Sequence, residues 1–321
     1  MLLAIEPTQI HDSLYAFLSI LLEGAFFIFI GTVISGFIDA YLPPTLLDRL
    51  LPKNKALAVV VGGLLGAVFP VCECAIVPVI RRLVAKGLPL SVAITYMLAA
   101  PIINPVTMVS TFAAFSERGD AGVLVASSRA LLAYGITVLV GLVMVRVALA
   151  AVLRPQIQAA ISRAGAARDH DHDHDHDHGG ATAGGKLVHA LQVAQRDFTD
   201  VAMYFTVGVA LTAFLNNVIP RDWIAPLAGN DVTAIPTLMV AAFILSLCST
   251  SDAFVAASLD EFSYAAKLAF LIFGPMVDLK LIFLYSSIFK PRFVLILACV
   301  LFILTGVVCH QWGVFDHAAA R

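Results

Sequence analysis

The chain has 321 residues, 60% hydrophobic and only 13% charged, with a mean hydropathy of +0.91 and a net charge of -2. Water-soluble domains are roughly 45–50% apolar and about 25% charged, so too few polar residues remain here to coat a surface facing water. The composition excludes a soluble globular domain. Thinly spread charge gives no nucleic-acid footprint, and five cysteines are too few for a disulfide framework.

The opening stretch, Met1 to Phe17, has no basic segment and no small-residue cleavage site, so it reads as retained. A bilayer core about 30 Å thick needs roughly 20 apolar residues per helix. In chain order, apolar runs of that kind occupy 14–42, 89–115, 121–153, 198–219, 262–289 and 292–312. Two further apolar runs, 56–86 and 233–259, are interrupted at their centres by Phe69–Pro78 and by Leu247–Phe254. Proline and small polar residues there break a helix, which a membrane tolerates only where the freed backbone is buried in protein or lines a cavity. The polar stretch 154–190, with its alternating Asp-His run from Asp169 to His178, reads as a linker between repeat 1 (1–153) and repeat 2 (191–321).

The two halves echo one another. A shift of about 176 residues (248 − 72) sets Glu23 near Asp200, Gly31 near Gly208, Asp39 near Asn216, Pro43 near Pro220 and Cys72 on Cys248. Pro101-Ile-Ile-Asn104 falls on Pro275-Met-Val-Asp278 in the same order. Repeats of this type mark transporters whose substrate site lies where broken helices meet. If both broken runs are re-entrant, most Lys and Arg fall on one side, leaving Arg118, Arg129, Arg221, Lys267 and Arg321 outside or near that edge. The expected fold is therefore an all-α integral membrane protein. It would have two inverted repeats, six spanning helices and two re-entrant broken hairpins, with eight crossings as the alternative.

Cys72-Glu73-Cys74 at the first break is the sharpest chemical feature. In a tight turn two such thiols converge on one ion, and sulfur selects soft metals or metalloids. The helix starting near Cys74 would favour thiolate through its positive end. Ser249, Thr250, Ser251 and Asp252 at the second break read as helix caps with spare oxygens, and Cys248 could supply a third sulfur. Cys299 and Cys309 lie in unbroken helix and read as packing residues. Glu23, Asp39, Asp278 and Lys280 are ionisable groups within apolar runs, which membranes retain mostly at partners or wet cavities. Glu23, Asp278 and Lys280 are candidates for ion coupling. Asp39 and Glu23 also suit snorkelling at helix ends. Asp278 and Lys280, two residues apart, would point differently on a helix. The substrate-binding set is Cys72, Glu73, Cys74, Asn104, Cys248, Ser249, Thr250 and Asp278. His170, His172, His174, His176 and His178 offer imidazoles for a loosely held divalent metal, and no tightly bound cofactor is expected. Gly180 to Leu187 nearly matches a phosphate loop, but Leu187 replaces the needed Ser or Thr and no strand precedes it.

With these residues in view, the chain resembles the bacterial predicted-permease family that includes the organoarsenical efflux permease ArsP and YraQ. The resemblance rests on Pro70 to Pro105, on LCSTSDAFVAASL and on FGPMVDLKL, and covers most of both halves. The family's Cys-x-Cys, V-P, K-G and A-x-P-x-x-N-P features stand here as Cys72, Cys74, Pro78, Lys86, Gly87, Pro101, Asn104 and Pro105. It implies a multi-pass permease of the bacterial inner membrane, not an enzyme, that exports a thiophilic metal or metalloid. Glu73 stands where many members have a small residue. With the Asp-His run, this favours a divalent metal over an organoarsenical. The other readings are an organoarsenical exporter, a membrane dithiol redox protein, and a metal sensor acting through the Asp-His run. Expected partners are the lipid bilayer and a small solute, no nucleic acid, and a second copy if Gly62, Gly63 and Gly66 pack between chains.

Overall fold

The computed structural model describes residues 7–42, 51–68, 71–116, 121–155, 157–159, 183–218 and 230–319. The Asp-His run and its five imidazoles lie outside the described residues, as do Pro43 and Pro220.

In chain order the helices are α1 (Pro7–Tyr41), α2 (Lys55–Val68), α3 (Ile76–Ala85), α4 (Leu90–Ala99), α5 (Pro105–Phe115), α6 (Ala121–Met144) and the short α7 (Leu149–Val152). They continue as α8 (Ala183–Val218), α9 (Asp231–Leu245), α10 (Asp252–Ser258), α11 (Tyr264–Met276), α12 (Leu279–Tyr285) and α13 (Pro291–Ala319). No strand occurs among the described residues, and the chain is an all-α membrane protein. Among the described residues five stretches are long and apolar enough to cross a membrane: Ser13–Tyr41, Ala121–Met144, Leu187–Leu215, Tyr264–Tyr285 and Pro291–Val314.

The expected sixth span, 89–115, is two helices. Asn104 precedes Pro105, whose ring pushes its neighbour out of helical geometry (φ −64°, ψ 130°). The Asn104 side-chain oxygen Oδ1 then caps α5 by accepting from the Val106 backbone N–H at 2.9 Å. Tyr264–Tyr285 is broken at the matching place, where Asp278 caps α12 through the Leu281 N–H at 2.7 Å. The Pro-x-x-Asn/Asp pattern thus marks one device used twice: a helix ends, and a short polar side chain starts the next.

The order of long helix, broken pair, broken pair and long helix in 7–144 recurs in 183–319. In the first half α2, α4 and α6 pack on one another; in the second α9, α11 and α13 do the same. α1 and α8 run against each other and join the halves. α8 starts at Ala183, inside the stretch read as linker, because its first turns are gripped by α1: a Cβ on Gly36 would collide with the Ala190 carbonyl. Gly62, Gly63 and Gly66 lie against Val92, Tyr134 and Ala100 of the same chain, so they serve contacts within it.

Apart from Lys267 the α11 segment is apolar on all sides, and it is buried, whereas α1 and α13 expose Phe26, Phe29, Ile296 and Ile303 outward. A helix apolar all round belongs at the centre of a bundle, and outward Phe and Ile belong against lipid.

Candidate functional site

Both breaks end in the same turn. The Cys72 carbonyl accepts from the N–H groups of Ala75 and Ile76 at 3.2 and 3.1 Å, and the Cys248 carbonyl accepts from those of Ser251 and Asp252 at 3.0 and 2.9 Å. Each cysteine therefore stands at the base of a half-helix, α3 or α10. α9 stops because Ser246 adopts a left-handed conformation (φ 46°, ψ 48°), and its hydroxyl accepts from the Leu279 N–H at 3.2 Å.

The two tips meet. Ser249 donates its hydroxyl to Glu73 Oε2 at 3.1 Å, across the 176 residues that separate them. Lys280 stands beneath this contact: its ammonium lies 3.6 Å from Glu73 Oε1 and 3.3 Å from Asp278 Oδ2. It also donates to the Ser246 and Leu247 carbonyls at 2.8 and 3.4 Å. Asp278 and Lys280 do pair, contrary to the helical-direction argument. Asp278 is the cap, outside helical geometry, so the helix angle does not govern where its carboxylate goes. Asp278 Oδ2 accepts no aligned hydrogen bond, which leaves it an ion contact with a spare lone pair. Glu73, Asp278 and Lys280 are all buried, at 1%, 1% and 3% exposure.

A cavity of about 90 Å³ opens above this cluster, roughly enough for several water molecules. Cys72, Glu73, Cys74, Cys248, Lys280 and Glu23 line it. Cys72 and Cys248 are partly exposed, while Cys74 is buried. Glu23 reaches it from α1, and among the described residues its carboxylate has no hydrogen-bond or ionic partner. Gly24 lets the Phe205 ring of α8 lie directly on α1 at this level. Thr250 turns its hydroxyl to Cys248 Sγ at 3.5 Å. Asn104 is buried at the cap of α5 and is not among the cavity-lining residues. Among the described residues no three His, Cys, Asp or Glu side chains are grouped so as to hold a metal ion.

The expected caps at the second tip do other work. Ser249 serves Glu73, Ser251 returns to the Cys248 carbonyl at 3.1 Å, and Asp252 is taken by Arg129. That arginine lies fully buried within α6. It holds Asp252 with two bonds of 2.7 and 3.2 Å, accepts none, and donates further to Thr111 Oγ1 at 2.7 Å and the Ser249 carbonyl at 3.4 Å. Sequence reasoning missed its role because charge counting set it outside or near the membrane edge and gave it no partner. The available signal was its place eight residues inside an apolar helix, where a charge needs a buried partner. Lys267, also expected near the edge, is buried, with its ammonium 5.7 Å from the Tyr264 ring centre and 6.0 Å from that of Phe115.

A second ionic cluster ties α3 to α1 and α8. Arg82 grips the buried Asp197 with bonds of 3.0 and 3.1 Å, and Ser35 donates to the same carboxylate at 3.0 Å. Arg81 reaches Asp200 at 3.2 Å. Asp39 lies 3.7 Å from Arg82 and 3.9 Å from Lys86, so it is a paired residue of this cluster and not a lone snorkelling one.

Comparison with known proteins agrees with this architecture. Residues 9–311 match the family ArsP_1, described as a predicted permease. The UPF0718 protein YcgR of Bacillus subtilis (strain 168) is 37% identical over 285 residues, covering 88% of this chain and 90% of that protein. A Streptococcus mutans serotype c protein, named as a subunit of a two-component membrane permease complex, is 34% identical over 290 residues, 90% of this chain and 91% of its own. No solved structure matches. A family match over nearly the whole length, on a bundle of membrane helices broken at a shared polar centre, places the chain in the ArsP_1 predicted-permease family of multi-pass bacterial membrane proteins.

Proposed function

We propose that the chain is a secondary-active permease that exports a small thiophilic metal or metalloid through the cavity where the two tips meet, and that it is a transporter rather than an enzyme. The observation that carries the reading is the convergence of Cys72, Cys74, Cys248, Glu73 and Lys280, from both halves of the chain, on one cavity inside the helix bundle. Broken helices are tolerated in a membrane when they build a site of this kind. Cys72 and Cys248, one from each tip, would make first contact with the cargo, since a soft solute prefers sulfur to the oxygens nearby. Cys74, buried behind them, would join when the tips shift.

The charge count suggests the coupling. Two buried carboxylates, Glu73 and Asp278, share the single ammonium of Lys280. Uncompensated buried charge is costly, so a proton or the cationic cargo would complete the set, and the two would compete. Glu23, at the cavity and without a partner among the described residues, would pass the proton. The Asp-His run would gather divalent cargo beside the permease. The naming of the streptococcal relative extends the proposal to a second membrane component working with this chain.

Uptake by everted vesicles tests the reading. Zn²⁺, Ni²⁺, Co²⁺ and a trivalent methylarsenical would be offered with and without a proton gradient. Gradient-driven uptake of one of them is expected, lost in Cys72→Ser/Cys248→Ser and kept in Cys299→Ser. Equal uptake by the wild type and the double variant, or no uptake of any cargo by folded protein, would overturn it.

A further inference from the structure

A second cavity lies at the basic end of the bundle, away from the tips. It has a volume of about 380 Å³ and lies among the start of α2, the start of α4 and the stretch that follows α6. Its polar groups are Lys53, Lys55 and Ser91; the rest of its wall is apolar, including Leu90, Val145 and Met144. Lys53 and Lys55 are exposed, and neither has an acidic partner among the described residues. Ser91 is 7% exposed, yet its hydroxyl makes no hydrogen bond within the described residues.

Met144 also lines a groove of about 480 Å³ that climbs between α6 and α13. The groove is apolar throughout. Leu139, Val143, Ile296, Val300 and Ile303 form its walls and stand exposed. From Phe293 to Val307 it follows α13 for about 21 Å, at 1.5 Å per residue. That is more than half of a hydrocarbon core about 30 Å thick.

A cationic pocket at the membrane surface that continues into an apolar channel along lipid-facing helices matches one kind of molecule. We infer that these two features together hold one anionic phospholipid of the cytoplasmic leaflet. Its phosphodiester would be taken by Lys53, Lys55 and the Ser91 hydroxyl, and one acyl chain would lie between α6 and α13. Charge selects the occupant: two lysines without an acidic partner among the described residues, and no acid in the wall, favour an acidic headgroup over a zwitterionic one. The basic end is the face that charge bias assigns to the cytoplasm, where anionic lipid is presented to it. The bound lipid would brace α2, α4 and α6 against α13, and this holds whatever the permease carries.

The test uses the full chain, purified from mixed phosphatidylglycerol and phosphatidylcholine nanodiscs and read by native mass spectrometry and melting temperature. One retained phosphatidylglycerol per chain is expected, with a melting temperature that rises with phosphatidylglycerol and not with phosphatidylcholine. Lys53→Gln/Lys55→Gln should weaken retention about thirtyfold, from roughly a fivefold contribution per lysine at a membrane surface. Ile296→Trp/Val300→Trp, which fills the groove and leaves the lysines intact, should also release the lipid. Glycerol phosphate in solution should not compete, because it has no chain. Equal retention of both lipids, undiminished retention in the lysine variant, displacement by glycerol phosphate, or a second copy or other protein cross-linked through Ile303 in the groove would each overturn the assignment.

Discussion

Replacing Arg129 by Met isolates the contribution of the buried ion pair that holds the second tip. The guanidinium is 0% exposed and the Asp252 side chain 4%, and two bonds of 2.7 and 3.2 Å join them. Removing the cation strands a carboxylate in the interior, which costs about 3–5 kcal/mol. The lost bond to the Ser249 carbonyl adds roughly 1 kcal/mol. The unfolding equilibrium should therefore move by about three to four powers of ten. The double variant Arg129→Met/Asp252→Leu removes both charges together and should recover most of the loss, since an apolar pair of similar size is often as stable as a buried ion pair. Denaturation with SDS in mixed micelles, across the wild type, both single variants and the double, measures the coupling directly. A loss below about 1 kcal/mol for Arg129→Met, or a double variant as weak as the sum of the singles, would refute the reasoning.

Four further outcomes follow from packing, backbone geometry and ion pairing. Gly31→Ala places a Cβ 2.5 Å from the Ala75 carbonyl oxygen, so α1 must move off the first tip; a loss of about 1–3 kcal/mol is expected in the same titration. Gly135→Ala meets nothing within 4 Å and should be neutral or stabilising by up to about 1 kcal/mol. Ser246→Val forces a β-branched residue into a left-handed position and removes the acceptor for Leu279, so it should cost about 2 kcal/mol or more, whereas Ser246→Gly should cost much less because it relieves the backbone. Asp197→Asn weakens the grip of Arg82, which is itself 21% exposed; a loss of about 1–2 kcal/mol is expected, seen as faster thiol labelling of Cys72 as α3 loosens from α8.

Much of the site was written in the chain without being placed by it. Cys72, Glu73 and Cys74 stood out because they interrupt an apolar run, and Lys280 and Asp278 because charges in such runs need partners. What they touch was not legible. The pairing of Asp278 with Lys280 contradicts helical spacing, since the break at Val277 takes Asp278 out of the helix. Arg129 was counted outside or near the membrane edge because a charge count treats each cation as exposed unless its partner is known, and that partner, Asp252, lies 123 residues away. Asn104 and Asp278 share a motif but differ in surroundings: one caps a helix, while the other caps a helix and also faces an ammonium.

The sequence by itself determined that this is an all-α membrane protein, that two of its apolar runs break near Cys72 and Cys248, and that the second half repeats the order of the first, whereas the breaks at Asn104 and Asp278 emerged only in the fold. Composition and periodicity are local properties, and a bilayer accepts few ways of satisfying a broken backbone. Only the tertiary structure decided that the two tips touch, that Glu73 bonds Ser249, and which of the charged residues are buried. Those depend on close approaches at Gly31 against Ala75 and at Gly208 against Lys280. Such contacts join residues distant in sequence through backbone proximity, and no pattern along one chain records that distance.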